Sequence, residues 1–206
     1  MLAMIDYGVG NLFSVCASLR AIGEDTVVTG EAEVIRRADA LLLPGVGAFA
    51  DAIAKLRRTG LDEVIIEEAQ AGKPLLGICL GMQLLFETSL EFGEHRGLGL
   101  IPGTVRPIRG AVPEGLKIPH IGWNALNFPP ERHALFAKAQ EGDHVYFVHS
   151  FYAADCAPHV IATTDYGAPL TAAVARGNVM GCQFHPEKSG PVGLSILKSF
   201  CEEARK

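Results

Sequence analysis

Short, uninterrupted apolar runs alternate with helical patterns through the first half of the chain, and few folds accommodate that alternation. Leu2–Tyr7 reads as a buried strand, Gly8–Gly10 as a turn, and the residues from Asn11 as a helix. Leu12, Val15, Leu19 and Ile22 recur at helical spacing on it, and Gly23 closes it. Thr26–Thr29 and Ala40–Leu43 repeat the strand pattern, with a short helical piece at Glu31–Arg37 between them. One or two helices fill Phe49–Ala71, with an apolar stripe of Leu61, Val64, Ile65 and Ala69. Pro74–Ile78 is a fourth strand, and another helix begins at Gly81–Glu87. Strands apolar at every position are buried on both faces, so a parallel sheet covered by helices on either side is expected.

The texture changes from about Leu98. Val105–Ile108, Val145–Tyr152, Val160–Thr164, Leu170–Arg176 and Val179–Phe184 read as strands joined by turns, with a tight hairpin at Arg176-Gly177-Asn178. Ser189–Lys206 reads as an amphipathic C-terminal helix carrying Val192, Leu194, Ile196, Leu197 and Phe200. No linker is long or polar enough to separate a second domain from the first, so residues 1–206 are expected to form one α/β domain with a mixed, mostly parallel sheet in three layers.

Composition narrows the partners. Hydrophobic residues make up 49% of 206, enough for a sizeable core. A formal net charge of −5 with no dense basic run argues against nucleic acid and anionic membranes. The longest charge-free apolar stretch, Pro74 to Phe86, is too short to span a bilayer. The start, MLAMIDYG, shows no signal peptide. Five cysteines without a CxxC pair suggest free thiols in a reducing cytosol. His95, His133, His144 and His159 have no convincing metal-ligand spacing and read as surface residues, so neither metal nor cofactor is expected.

Three motifs bear on chemistry. Gly8-Val9-Gly10 follows a strand, but the third glycine of a dinucleotide fingerprint would fall at Phe13; a tight turn explains it better. Gly77-Ile78-Cys79-Leu80-Gly81 has the G-x-nucleophile-x-G form of a nucleophile elbow, with the thiol at the start of a helix and the Leu80 N–H free for an oxyanion. A buried structural cysteine is the alternative, and Cys16, Cys182 and Cys201 are read that way. In His185-Pro186-Glu187, residues two apart in an extended segment share a face, so the carboxylate can orient the imidazole; the alternative is an exposed pair at a strand end. Gln83, one turn after Cys79 on the same face, is either a site residue or a satisfied amide in the core.

With these residues in view, Cys79, His185 and Glu187 resemble the triad of the class I (triad) glutamine amidotransferases, whose fold has a flavodoxin-like core. DYGVGNLFSV, LPGVGAF, GICLGMQLLFE, IPHIGWN, YFVHSFY and QFHPEKSG are further similar to the glutaminase subunits of imidazole glycerol phosphate synthases, in order from residue 6 to 190. The resemblance implies a thioester at Cys79, acid–base work by His185 and orientation by Glu187. It implies an oxyanion strand at Gly45, Val46 and Gly47, with Leu80 N–H as second donor. Glutamine would be held at Gln83 and near His149, Ser150 and Phe151.

It also implies docking of a separate (β/α)8-barrel cyclase subunit, as a heterodimer, at Ile118–Asn124, with Pro119, His120, Trp123 and Asn124, and at Tyr146. A buried anchor under a loop is the alternative for Trp123. Ammonia would pass to that cyclase, which makes imidazole glycerol phosphate and aminoimidazole carboxamide ribotide in histidine biosynthesis. Two other readings remain at this stage: the glutaminase subunit of another synthase, and a silent scaffold that only binds a partner.

Overall fold

The computed structural model describes residues 1–205. In chain order its first elements are β1 (Leu2–Ile5), α1 (Leu12–Ala21), β2 (Thr26–Thr29), α2 (Ala32–Arg37), β3 (Ala40–Gly45), α3 (Phe49–Thr59), α4 (Leu61–Gln70), β4 (Leu75–Cys79) and α5 (Leu80–Leu84). Then follow β5 (Phe86–Ser89), β6 (His95–Arg96), β7 (Ile101–Pro107), β8 (His120–Ala125), β9 (His144–His149), β10 (Phe151–Ala154), β11 (Val160–Asp165), β12 (Pro169–Arg176), β13 (Val179–Cys182) and α6 (Gly190–Glu203). Lys206, where the last expected helix ends, lies outside the described residues.

The seven-stranded main sheet has the order β11-β12-β13-β4-β3-β1-β2. β13, β4, β3, β1 and β2 are parallel, and β11 and β12 extend the sheet antiparallel. Alternation along each apolar strand divides the core. Ala3, Ile5, Leu41 and Leu43 pack with Phe49, Ile53 and Val64 of α3 and α4. Leu2, Met4, Leu42, Leu76 and Ile78 pack with Val15, Leu19, Ile196 and Phe200 of α1 and α6 on the other face. That is why these strands tolerate no polar position, and it gives the expected α/β, mostly parallel layering. The Gly177-Asn178 hairpin joins β12 and β13 as expected, with Arg176 opposite Val179.

Three elements differ from expectation. The helix expected over Gly81–Glu87 stops at Leu84, because the carbonyls of Leu84 and Leu85 accept from Leu98, Leu100 and Ile101 N–H (2.8–3.0 Å), leaving no ladder to extend. Phe86–Ser89 instead enters a second sheet of order β10-β7-β5-β6. The run Val145–Tyr152 is two strands: β9 pairs with β8, and at Ser150 the chain changes partner so that β10 pairs with β7. The hairpin strand β8, in the Ile118–Asn124 segment, was not legible as a strand; Pro119 and Gly122 interrupt its pattern.

Candidate active site

Cys79 joins β4 to α5 with φ +56 and ψ −113, a left-handed backbone that costs a non-glycine residue on the order of 1–3 kcal/mol. Packing enforces it. A Cβ on Gly81 would stand 1.7 Å from the Leu43 carbonyl oxygen, and one on Gly77 2.6 Å from that of Gly81. Only glycines let the turn close this tightly against β3. The helix beyond is just five residues, little more than one turn.

The neighbouring strand supplies the partner. β13 lies parallel to β4, and its continuation brings His185 to the thiol. His185 N–H donates to the Tyr146 carbonyl (2.9 Å), and the Ser189 hydroxyl donates to the His185 carbonyl (2.6 Å), which anchors the histidine to β9 and α6. His185 Nδ1 is 2.8 Å from Glu187 Oε1, with both side chains buried. Their proximity arises differently from expectation: Pro186–Lys188 is a 3-10 turn, not extended chain, and it folds the carboxylate back onto Nδ1 of the ring. Burial by itself lowers the His185 pKa, but hydrogen bonds to Cys79 and Glu187 and their charges carry it up to about 9. Cys182, behind the site, is fully buried, and its thiol is pushed up by burial and by the charges of Glu187 and Cys79. Cys201 is also buried, whereas Cys16 is only half-buried, less enclosed than expected.

A cavity of about 540 Å³ opens over the thiol. Val46, Gly47, Leu80, Gln83, His149, Ser150 and Phe151 line it with Cys79 and His185; Gly45 and Glu187 lie behind its wall. Gly45 is tightly packed, since a Cβ there would meet Gly81 N at 2.8 Å and the Tyr7 hydroxyl at 2.9 Å. Val46 is 43% exposed, and Gly47 has φ +92 with no atom within 4 Å of a Cβ position. Gln83 is buried, and its amide donates to Gln183 Oε1 (2.9 Å) and to the Phe151 carbonyl (3.2 Å).

Several residues here were not singled out from the sequence. Gln183, fully buried, donates to Cys79 Sγ at 3.8 Å; its only signal was a polar residue inside the apolar run Val179–Phe184. Glu91, 8% exposed, lines the cavity and accepts from Phe49 N–H at 2.7 Å. The Tyr7 hydroxyl donates to the Pro44 carbonyl at 2.9 Å. Burial first, then the charge of Cys79, raises its pKa, so it stays a donor.

The residues expected at a docking face divide. Pro119 is exposed, Trp123 is 55% exposed, and Trp123 packs edge-to-face on half-buried Tyr146 (6.1 Å). That excludes the buried-anchor alternative for Trp123. Asn124 is half-buried, with its amide turned to the Asp165 carbonyl (2.7 Å). His120 does not reach the surface: it is 3% exposed, stacked between Tyr166 and Phe147. Among the described residues no three of His, Cys, Asp and Glu cluster as metal ligands, and no helix is long and apolar enough to cross a membrane. The strand-to-helix turn at Gly8–Gly10 has left-handed φ at both glycines (+78 and +125), in keeping with a tight turn.

A cysteine on an elbow, a histidine–carboxylate pair beside it and an open cavity above give the geometry of a thiol-dependent acyl-transfer site. The family model for glutamine amidotransferase class-I matches residues 3–204. The chain is 47% identical over 206 residues to "Imidazole glycerol phosphate synthase subunit HisH" of Oceanobacillus iheyensis, covering 100% of each chain. It is 50% identical to the protein of the same name from Lactococcus lactis subsp. lactis, over 98% of each. Among solved structures it is similar to a glutamine amidotransferase (TM-score 0.77, 18% identity, 99% of each chain) and to PurLQS from Thermotoga maritima (TM-score 0.76, 20% identity, 98% of this chain and 97% of that one), likenesses of fold alone. The chain belongs to the class-I glutamine amidotransferase family and, within it, to the HisH subunits of imidazole glycerol phosphate synthase.

Proposed function

We propose that Cys79, His185 and Glu187 hydrolyse the side-chain amide of glutamine and that the ammonia passes to a separate cyclase subunit. The observation that carries the reading is the series Cys79–His185–Glu187, the first two lining the cavity and the third behind its wall, with the Nδ1–Oε1 contact of 2.8 Å at its end. Cys79 thiolate attacks the carboxamide carbon, and the oxygen takes the developing charge. Donors for it are the Leu80 N–H and an N–H of the Gly45–Gly47 strand. His185 imidazolium gives its proton to the departing nitrogen, ammonia leaves, and a γ-glutamyl thioester remains. His185, now neutral, takes a proton from water, which attacks the thioester; glutamate leaves and the thiolate–imidazolium pair is restored. Glu187 keeps the Nδ1 proton in place throughout. The Glu91 carboxylate is suited to the α-ammonium of glutamine, and Arg109, on the cavity wall, to its α-carboxylate.

Ammonia released into neutral water becomes ammonium and is no nucleophile, so the product needs a sheltered route. The exposed Trp123, packed on half-buried Tyr146, supplies an aromatic anchor for the partner, a (β/α)8 barrel on the family resemblance. Residues 1–206 serve as one domain in this reading, working in the cytoplasm as a heterodimer. The test is glutaminase activity of the chain with and without purified cyclase and its ligand. Turnover that rises in the liganded complex supports the reading. A chain that binds the cyclase yet resists labelling at Cys79 by a glutamine-analogue electrophile is a silent scaffold, and stable association with a different synthase reassigns the subunit.

A further inference from the structure

Two buried histidines link the β8 strand to the cavity wall. His149 Nδ1 lies 2.8 Å from the Phe151 carbonyl oxygen. A carbonyl only accepts, so this nitrogen carries the proton, and in the neutral ring Nε2 is left as an acceptor. His120 Nδ1, 3.0 Å from that Nε2, must therefore be the donor. His120 Nε2 is then an acceptor in its turn, and it faces the Asn124 amide nitrogen at 3.5 Å. Donation thus runs one way, from Asn124 through His120 and His149 to the Phe151 carbonyl. That carbonyl also accepts from Gln83, whose amide reaches Gln183 and so the neighbour of Cys79 Sγ.

The polarity is held by packing. The His120 ring is stacked between Tyr166 (4.0 Å, 25°) and Phe147 (5.0 Å, 22°), which leaves it no rotamer to explore. Burial lowers the pKa of both rings, that of His149 to about 4, so both are neutral at working pH. An imidazolium at either position would turn an acceptor into a donor and break the chain.

We propose that His120 is a positioning residue for glutamine hydrolysis: locked as the Nδ1–H tautomer, it ties the strand that carries Trp123 to the Phe151 carbonyl and the Gln83 amide in the cavity wall. The proposal rests on the reading that this cavity takes glutamine. Movement of β8 on docking of a partner is then transmitted to the glutamine site as a gained or lost donor, without displacement of the triad.

Two substitutions separate hydrogen bonding from packing. His120→Phe keeps the stacked ring and removes both nitrogens; His120→Asn loses the stack but sets an amide N–H where Nδ1 stands. In the assembled synthase, His120→Phe raises KM for glutamine about tenfold with kcat little changed, the scale of one buried hydrogen bond. His120→Asn restores KM to near wild type, and synthesis from ammonium salts is unaffected in both. The reverse ranking, with Phe normal and Asn impaired, assigns His120 to packing and overturns the proposal. A second measurement does not depend on activity: ¹H–¹⁵N correlations of histidine rings, with only this chain labelled in the complex. His120 and His149 should both be Nδ1-protonated, whereas His133, whose Nδ1 accepts from Leu135 N–H at 3.2 Å, should show the opposite tautomer. An Nε2–H tautomer at His120 or His149 also overturns it. A wild-type complex that makes product from ammonium but never from glutamine refutes the glutaminase reading itself, a result distinct from either.

Discussion

The two walls of the cavity are built on opposite terms. On one, Cys79 sits in a backbone conformation enforced by glycines with no spare space, and His185, buried against Glu187, is clamped to β9 and α6. On the other, Val46 is nearly half-exposed and Gly47 has open space around it. The tight packing ends at Gly45. The groups proposed to make and break bonds, with the Leu80 N–H beside them, are therefore held in one arrangement, whereas the Val46–Gly47 segment proposed to supply the second oxyanion donor is not. A glutaminase that fired without an acceptor would waste glutamine, and a peptide rotating at Gly45–Gly47 can restrain it at low steric cost while the triad stays intact.

The comparison breaks first at Cys79. Cys79→Ala should abolish glutamine-dependent synthesis and leave ammonium-dependent synthesis nearly intact; residual glutamine turnover near wild type removes the thiol from the mechanism. Next comes the clamp. Glu187→Gln keeps the shape and removes the charge behind His185, with a loss of up to about 10⁴-fold, or less because a thiol leans less on its base. In wild type the alkaline limb of kcat/KM should fall near pH 9, where His185 loses its proton, and Glu187→Gln should move that limb to lower pH.

The open wall is tested at Gly47. A valine there must adopt a left-handed φ, so Gly47→Val should blunt the rise in glutaminase activity on complex formation by roughly 10²–10³-fold, the worth of one oxyanion donor, without weakening association. Full activity in the isolated wild-type chain would remove the restraint altogether. The last effect is on stability. His149 has a folded pKa near 4 against an ordinary value of 6.5, so between those pH values the unfolded chain binds a proton that the folded chain does not. Stability should fall by about 3 kcal/mol as pH drops through that window, read by denaturation with the fluorescence of Trp123, the single tryptophan. His185 acts in the opposite sense: its folded pKa is raised, so its contribution is complete below pH 6.5 and is lost as pH rises through about 9.

What could be read from the chain alone follows from how local each cause is. Apolar strands buried on both faces need every residue apolar, so β1, β3 and β4 were visible. The elbow was visible because its two glycines flank the cysteine they serve. Gln183 was not, since nothing near it in sequence hints that Cys79, about a hundred residues earlier, lies against its amide. The early end of α5 was hidden for the same reason: the donors that stop it come from residues 98–101. His120 is expected at a surface because its motif is, while its burial depends on Phe147 in β9 and on Tyr166 in the turn between β11 and β12.

The pairing of β13 beside β4 also sets a clock. Cys79 emerges from the ribosome early, but its histidine follows about a hundred residues later and comes to it only when Gly181 and Cys182 fall into register with Gly77 and Ile78. The β-strand that delivers the base is the last of the chain, and the contact is among its most distant in sequence, a kind that forms slowly. A half-made chain accordingly carries Cys16 and Cys79 but not the histidine proposed to act on Cys79. On the role proposed for His185, a subunit still being synthesised lacks its base, so no ammonia is expected from it until β13 has joined β4.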